Sequence, residues 1–158
     1  HFKLDIEPEM LADKKHKSIS DYLDSQAFPL MPFAKETLCT CFRNGYTIGI
    51  VTGGSKKSVE KTLSQYELGS YVSCVVAVED VENSKPAPDC YELAMAKLKK
   101  SPSECVAIED TQTGMTAAVS AGLACVVVPT TLSMHHDFTR ATVQYTSLNE
   151  WVGSEFGR

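Results

Sequence analysis

Glu109 and Asp110 stand side by side between Val106-Ala107-Ile108 and Thr111-Gln112-Thr113-Gly114. Three apolar residues running into two carboxylates, then a glycine, read as a strand that turns into a helix. Carboxylates at the C-terminal end of a buried strand are costly unless something positive lies beside them. In an open α/β sheet that rim is also where ligands bind. The pair is therefore a candidate cation site, and Mg²⁺ is the ion best suited to hard oxygen ligands. A helix N-terminus that accommodates acids at its positive dipole end would explain the same two residues. The stretch alone leaves both readings open.

Two further stretches could handle an anion. Thr52-Gly53-Gly54-Ser55 lies between a short β-rich run and a helical pattern. Hydroxyls and glycine amides at a helix N-terminus can cradle a phosphate; a plain turn with Ser55 as N-cap would use the same residues. Lys85, in Ser84-Lys85-Pro86-Ala87-Pro88-Asp89, is held by flanking prolines ahead of a helix. A fixed ammonium there could balance the acids and grip a phosphoryl oxygen, although most lysines are simply solvated. Glu79-Asp80 and Glu82 read as loop charges within reach of the same rim. His135-His136 reads as a pair of exposed loop histidines, because adjacent residues rarely converge on one ion.

The elements that must position these groups follow a regular order. Helices are expected over residues 8–23, 33–43, 55–66, from about 86–89 to 99, and 112–121; Asn44-Gly45 and Gly122 act as stops. Strands are expected over 46–51, 72–78, 106–108 and 124–128, with a short one at 142–145. Continuous apolar strands alternating with helices imply a parallel sheet covered on both faces. Residues 28–32, Phe-Pro-Leu-Met-Pro, form a proline-punctuated connector between the first helix and the rest.

Composition narrows the partners. The 158 residues suffice for one domain with a real core, at 43% hydrophobic and 22% charged. A net charge of -5 argues against a general nucleic-acid binder, and no apolar run reaches the length of a membrane span. The start of the sequence shows no secretory leader pattern. The six cysteines form no C-x-x-C and no zinc spacing; free thiols in a reducing, cytoplasmic setting are expected.

Thr52, Lys85 and Glu109-Asp110, in that order and each at a strand's carboxyl end, resemble the haloacid dehalogenase (HAD) superfamily over residues 29–150 or so. The similarity is to the branch of β-phosphoglucomutase, phosphoglycolate phosphatase and CbbY-type phosphatases. Leu30-Met31-Pro32, Ser84 to Asp89, and Ile108 to Thr111 with Gly114, Ala117, Ala118, Ala121 and Gly122 carry it. The resemblance implies an α/β, Rossmann-like (HAD-like) three-layer parallel-sheet core over 29–158. Residues 1–28 would be the C-terminal remnant of a helical cap. It implies that Thr52 and Gly53 contact a transferring phosphoryl group, that Lys85 neutralises it, and that Glu109 and Asp110 hold Mg²⁺. The substrate class implied is a small phosphorylated metabolite such as a sugar phosphate.

One departure matters. The family's nucleophile is an aspartate in a D-x-D-G-T motif on the first core strand, and no such motif occurs here. Leu4-Asp5-Ile6-Glu7 fits poorly, because Pro8-Glu9 replaces Gly-Thr. The expected core therefore lacks its first, central strand, and this chain alone should be inactive. Three outcomes are open for the gap: a segment outside this sequence fills it, the neighbouring strands pair directly, or another segment of the chain occupies it. A phosphatase is the expected activity of the whole protein, with a phosphomutase or a non-catalytic HAD-like binding module as alternatives.

Overall fold

Serine or threonine side chains start three of the core helices. In the computed structural model, which describes residues 8–25 and 27–157, Ser55, Thr111 and Ser147 each accept a hydrogen bond from the amide three residues on. This satisfies one of the amides that a helix start leaves orphaned. The helices are α1 (Pro8–Ser25), α2 (Ala34–Arg43), α3 (Lys56–Gln65), α4 (Asp89–Leu98), α5 (Gln112–Ser120) and α6 (Leu148–Phe156). The strands are β1 (Gly49–Val51), β2 (Cys74–Val76), β3 (Val106–Glu109), β4 (Ala124–Val127) and β5 (Val143–Gln144). Short 3₁₀ turns lie at Gly69–Tyr71, Val78–Asp80 and Pro102–Glu104. Among the described residues no helix is long and apolar enough to cross a membrane.

All strand pairings are parallel, as the continuous apolar strands imply. β4 shows how the layers form. Cys125 and Val127 join one apolar cluster with Tyr91, Met95, Met115 and Ala118 from α4 and α5. Val126 and Val128 join a second with Cys41 and Trp151 from α2 and α6. Alternate residues of a strand point to opposite faces, so one apolar strand serves both helical layers.

The sheet is nevertheless not one sheet. β1 pairs with β2, and β3 pairs with β4 and β5, but among the described residues nothing joins β1 to β3. A slot of about 300 Å³ separates them, lined by Ile48, Ile50, Val106, Ile108, Thr37 and Trp151 among others. Val106 and Ile108 are 42% and 37% exposed there, unusual for β-rich apolar residues in the middle of a core. The Thr37 hydroxyl is buried without a hydrogen-bond partner. The neighbouring strands therefore do not pair directly, and no described segment fills the gap.

Several boundaries differ from expectation. β1 starts at Gly49 rather than near Tyr46, because the Tyr46 amide turns back to donate to the Cys41 carbonyl at 3.1 Å. The expected loop from 79 onward begins inside the 3₁₀ turn Val78–Asp80. Helix α6 was not expected at all. The six cysteines are free, and burial pushes the Cys125 thiol up to about 11. Leu4 to Glu7, including Asp5, lie outside the described residues.

Gly153 sits inside α6 with open space where a Cβ would project. Glycine in a helix interior costs about 0.5–1 kcal/mol relative to alanine. Gly153→Ala is expected to stabilise the chain by that amount, read as a raised denaturation midpoint with an unchanged m-value.

Candidate functional site

Strands that run parallel bring their carboxyl ends to one edge, and the loops leaving that edge can converge. At the ends of β1 and β3 they line a cavity of about 780 Å³ with Thr52, Gly53, Ser84, Lys85, Glu109 and Asp110 on its wall. The residues expected from three separate stretches of sequence thus share one space.

Lys85 is the most constrained of them. Its ammonium donates to Glu109 Oε1 at 2.5 Å and to the Val51 carbonyl at 3.1 Å. An ammonium has three protons, so one remains for a ligand. The side chains of Lys85 and Glu109 are only 13% and 7% exposed. A buried charge pair of this kind needs further hydrogen bonds to offset desolvation. Tyr91, from the first turn of α4, supplies one by donating its hydroxyl to the same Glu109 Oε1. The Lys85 ammonium also lies 5.0 Å from the Tyr91 ring centroid, close enough for a cation–π contact. Burial, together with the Glu109 carboxylate, pushes the Tyr91 phenol well above its ordinary range, so it stays a proton donor.

The other face of Glu109 meets Gly114. A Cβ built on Gly114 would overlap the Glu109 carboxylate, so glycine in the first turn of α5 is what admits the buried acid. The sequence pattern registers Gly114 but not this contact. Tyr91 was missed altogether. Its only signal is a phenol three residues after Pro88 on a helix whose inward face is apolar.

Asp110 differs from its neighbour. It is half-buried, and among the described residues its carboxylate has no hydrogen-bond or ion-pair partner. A half-buried, unpaired carboxylate is a place for a cation. Even so, the described residues contain no group of three metal-ligating side chains.

At the β1 end, Thr52 donates its amide to the Val76 carbonyl at 2.9 Å, and its Oγ1 accepts from the Gly54 amide at 3.0 Å. The hydroxyl proton is left to donate. The Gly53 amide has no acceptor among the described residues. The α3 terminus itself is not open: the Glu79 carboxylate accepts from the Lys56 amide, and Asp80 pairs with the Lys56 ammonium at 2.6 Å. Glu79 and Asp80 therefore reach the neighbourhood of the rim as a helix cap. His135 is exposed, while the half-buried His136 accepts through Nδ1 from the Gln112 amide at 3.3 Å. Neither joins the cavity.

Comparison with known proteins identifies the family. Residues 3–128 match the family model of the haloacid dehalogenase-like hydrolases. Hexitol phosphatase B of Escherichia coli is 32% identical over 128 residues, covering 80% of this chain and 58% of that protein. The fructose-1-phosphate phosphatase YqaB of the same organism is 32% identical over 126 residues, covering 78% of this chain and 64% of that one. The chain therefore spans about three-fifths of the length of these relatives. The crystal structure of CbbY from Rhodobacter sphaeroides with phosphate superposes with a TM-score of 0.82 at 28% identity, over 97% of this chain and 70% of that one. The family model and the fold agree: the chain belongs to the haloacid dehalogenase-like hydrolase family.

Proposed function

We propose that the whole protein is a Mg²⁺-dependent phosphatase acting on a small phosphorylated metabolite, with a sugar phosphate as the substrate class. The observation that carries this reading is the shared cavity in which Lys85 keeps one free N–H, Thr52 keeps a free hydroxyl proton and Gly53 keeps a free amide. Three donors around one space suit the equatorial oxygens of a transferring phosphoryl group, because catalysis of that transfer is mainly positioning and charge neutralisation. The names of the two relatives, a hexitol phosphatase and a fructose-1-phosphate phosphatase, support the substrate class.

The unpaired Asp110 carboxylate, with Glu109 beside it, suits a hard divalent cation, and these two residues would hold Mg²⁺. The ion would supply positive charge against the phosphoryl oxygens. Two carboxylates make half a site. The remaining ligands, and the aspartate that would form the aspartyl-phosphate, belong to a further strand seated in the slot between β1 and β3. The open strand edges, the exposed Val106 and Ile108 and the orphaned Thr37 hydroxyl support that strand. In this reading residues 1–28 are the end of a cap domain; the exposed Met10 and Leu11 on α1 are in keeping with it.

The test is hydrolysis of a generic phosphate ester by the full-length protein with Mg²⁺. Lys85→Ala is expected to lower turnover by roughly 10²–10³-fold, the usual effect of removing one preorganised donor from a developing oxyanion. Equal rates for the two proteins would remove Lys85 from the mechanism. A non-catalytic binding module is the second reading, because the described residues hold no complete metal cluster. A D-x-D-G-T motif in coding sequence upstream of His1 would decide against it.

A further inference from the structure

Glu79 is a charged residue with no part in the proposed reaction, yet it is built into the turn that presents Thr52. Both of its carboxylate oxygens accept from the Lys56 amide, the first of α3, at 3.2 and 3.1 Å. Its neighbours in the 3₁₀ turn grip the same segment. The Val78 amide donates to the Gly54 carbonyl at 3.1 Å. Asp80 holds the Lys56 ammonium with one oxygen and the Ala77 amide with the other; the amide bond first, then the ammonium, hold the Asp80 carboxyl below its ordinary range.

Two consequences follow from the placement. The positive end of α3, where an incoming anion would otherwise sit, already has an anion from this chain. The turn from Thr52 to Ser55 is also clamped at both ends, by the Thr52–Val76 bond and by the Glu79–Lys56 contact.

We propose that Glu79 is a positioning residue: its carboxylate fills the α3 terminus and fixes the Thr52–Ser55 turn. A ligand phosphoryl group is thereby confined to Thr52, Gly53 and Lys85 rather than to the helix end. The second half rests on the reading of those three residues as phosphate contacts; the first half does not.

The two halves have separate measurements. Amide hydrogen exchange in the present chain reads the turn without any ligand. In Glu79→Ala the Gly54 amide, which is bonded to Thr52 Oγ1, is expected to exchange roughly two- to fivefold faster, the scale of a carboxylate's contribution at a helix N-terminus. Glu79→Gln, which keeps an acceptor oxygen, should recover most of the protection. Unchanged Gly54 exchange in Glu79→Ala overturns the clamp, whatever the protein's function.

Titration with inorganic phosphate, followed by amide chemical shifts, reads the confinement. In the parent chain the Gly53 amide should shift and the Lys56 amide should not. In Glu79→Ala the helix end is open, so the Lys56 amide should shift together with the Gly53 amide. A Lys56 amide that stays unmoved in that variant would show that Glu79 does not confine the anion and would overturn that half of the proposal. Absence of any phosphate response in the parent chain would count against the phosphatase reading and the confinement together, leaving the exchange result to judge the clamp. Glu150→Ala is the control. Glu150 makes the same kind of contact at the start of α6, accepting from the Thr146 amide at 2.7 Å, so its loss should leave Gly54 exchange unchanged.

Discussion

Lys85→Met is expected to destabilise the chain by about 3–5 kcal/mol, the range for removing one partner of a buried charge pair. Methionine keeps the length of the stem and removes only the ammonium. Glu109 would then remain 7% exposed, with Tyr91 as its one donor among the described residues. The size of the effect comes from the charge left behind rather than from the pair's own attraction, since desolvating both ions offsets much of the Coulomb gain. A double-mutant cycle separates the two. Glu109→Gln in the Lys85→Met background removes the stranded charge and keeps an oxygen for Tyr91, so it should recover most of the loss. Urea denaturation of the four proteins measures the cycle. A Lys85→Met chain within about 0.5 kcal/mol of the parent, the ordinary scatter of surface substitutions, would show that the pair is not buried in solution.

Gly114→Ala attacks the same carboxylate from the opposite side. Alanine is the better helix former and would ordinarily gain about 1 kcal/mol. Here the added methyl would occupy the position of the Glu109 carboxylate. A carboxylate at the end of a side chain can often move aside, but this one is fixed by Lys85 and Tyr91. Overpacking of this kind costs about 1–3 kcal/mol, which outweighs the helix propensity. The expected result is a net loss of stability, whereas Gly153→Ala, with open space around it, gains. If Gly114→Ala were as stabilising as Gly153→Ala, the close approach of α5 to Glu109 would be wrong.

The residues found from sequence and those missed differ in a physical way. Thr52, Lys85, Glu109 and Asp110 are positioned by the strand or loop that immediately precedes them, so short-range pattern suffices to place them at one rim. Tyr91 depends on how α4 packs against β1 and β2, and Glu79 on how far the turn after β2 reaches; neither placement is written in local spacing. Helix α6 did leave a local signal. Ser147 and Glu150 stand at the spacing of a capping box, with Leu148 and Trp151 on one face. Its short, mixed composition hid it. The parallel pairing was legible in the apolar strands, whereas the division into two sheets emerged as a gap expected from the absent strand and then seen between β1 and β3.

That division bears on how the molecule comes apart. A continuous sheet transmits cooperativity through its ladder of backbone hydrogen bonds, and here the ladder is interrupted in the middle. Besides the Lys85 ammonium, which bonds both the Val51 carbonyl and Glu109, helix contacts on both faces couple the β1–β2 half to the β3–β5 half. Helix α4 touches β1, β2 and α5 on one face, while α2 touches α6 and the 3₁₀ turn Gly69–Tyr71 on the other. Side-chain packing, rather than main-chain bonding, therefore makes the two halves one folding unit. A chain built this way should open along the slot before either half melts, so slow amide exchange would sort into two groups with different opening energies.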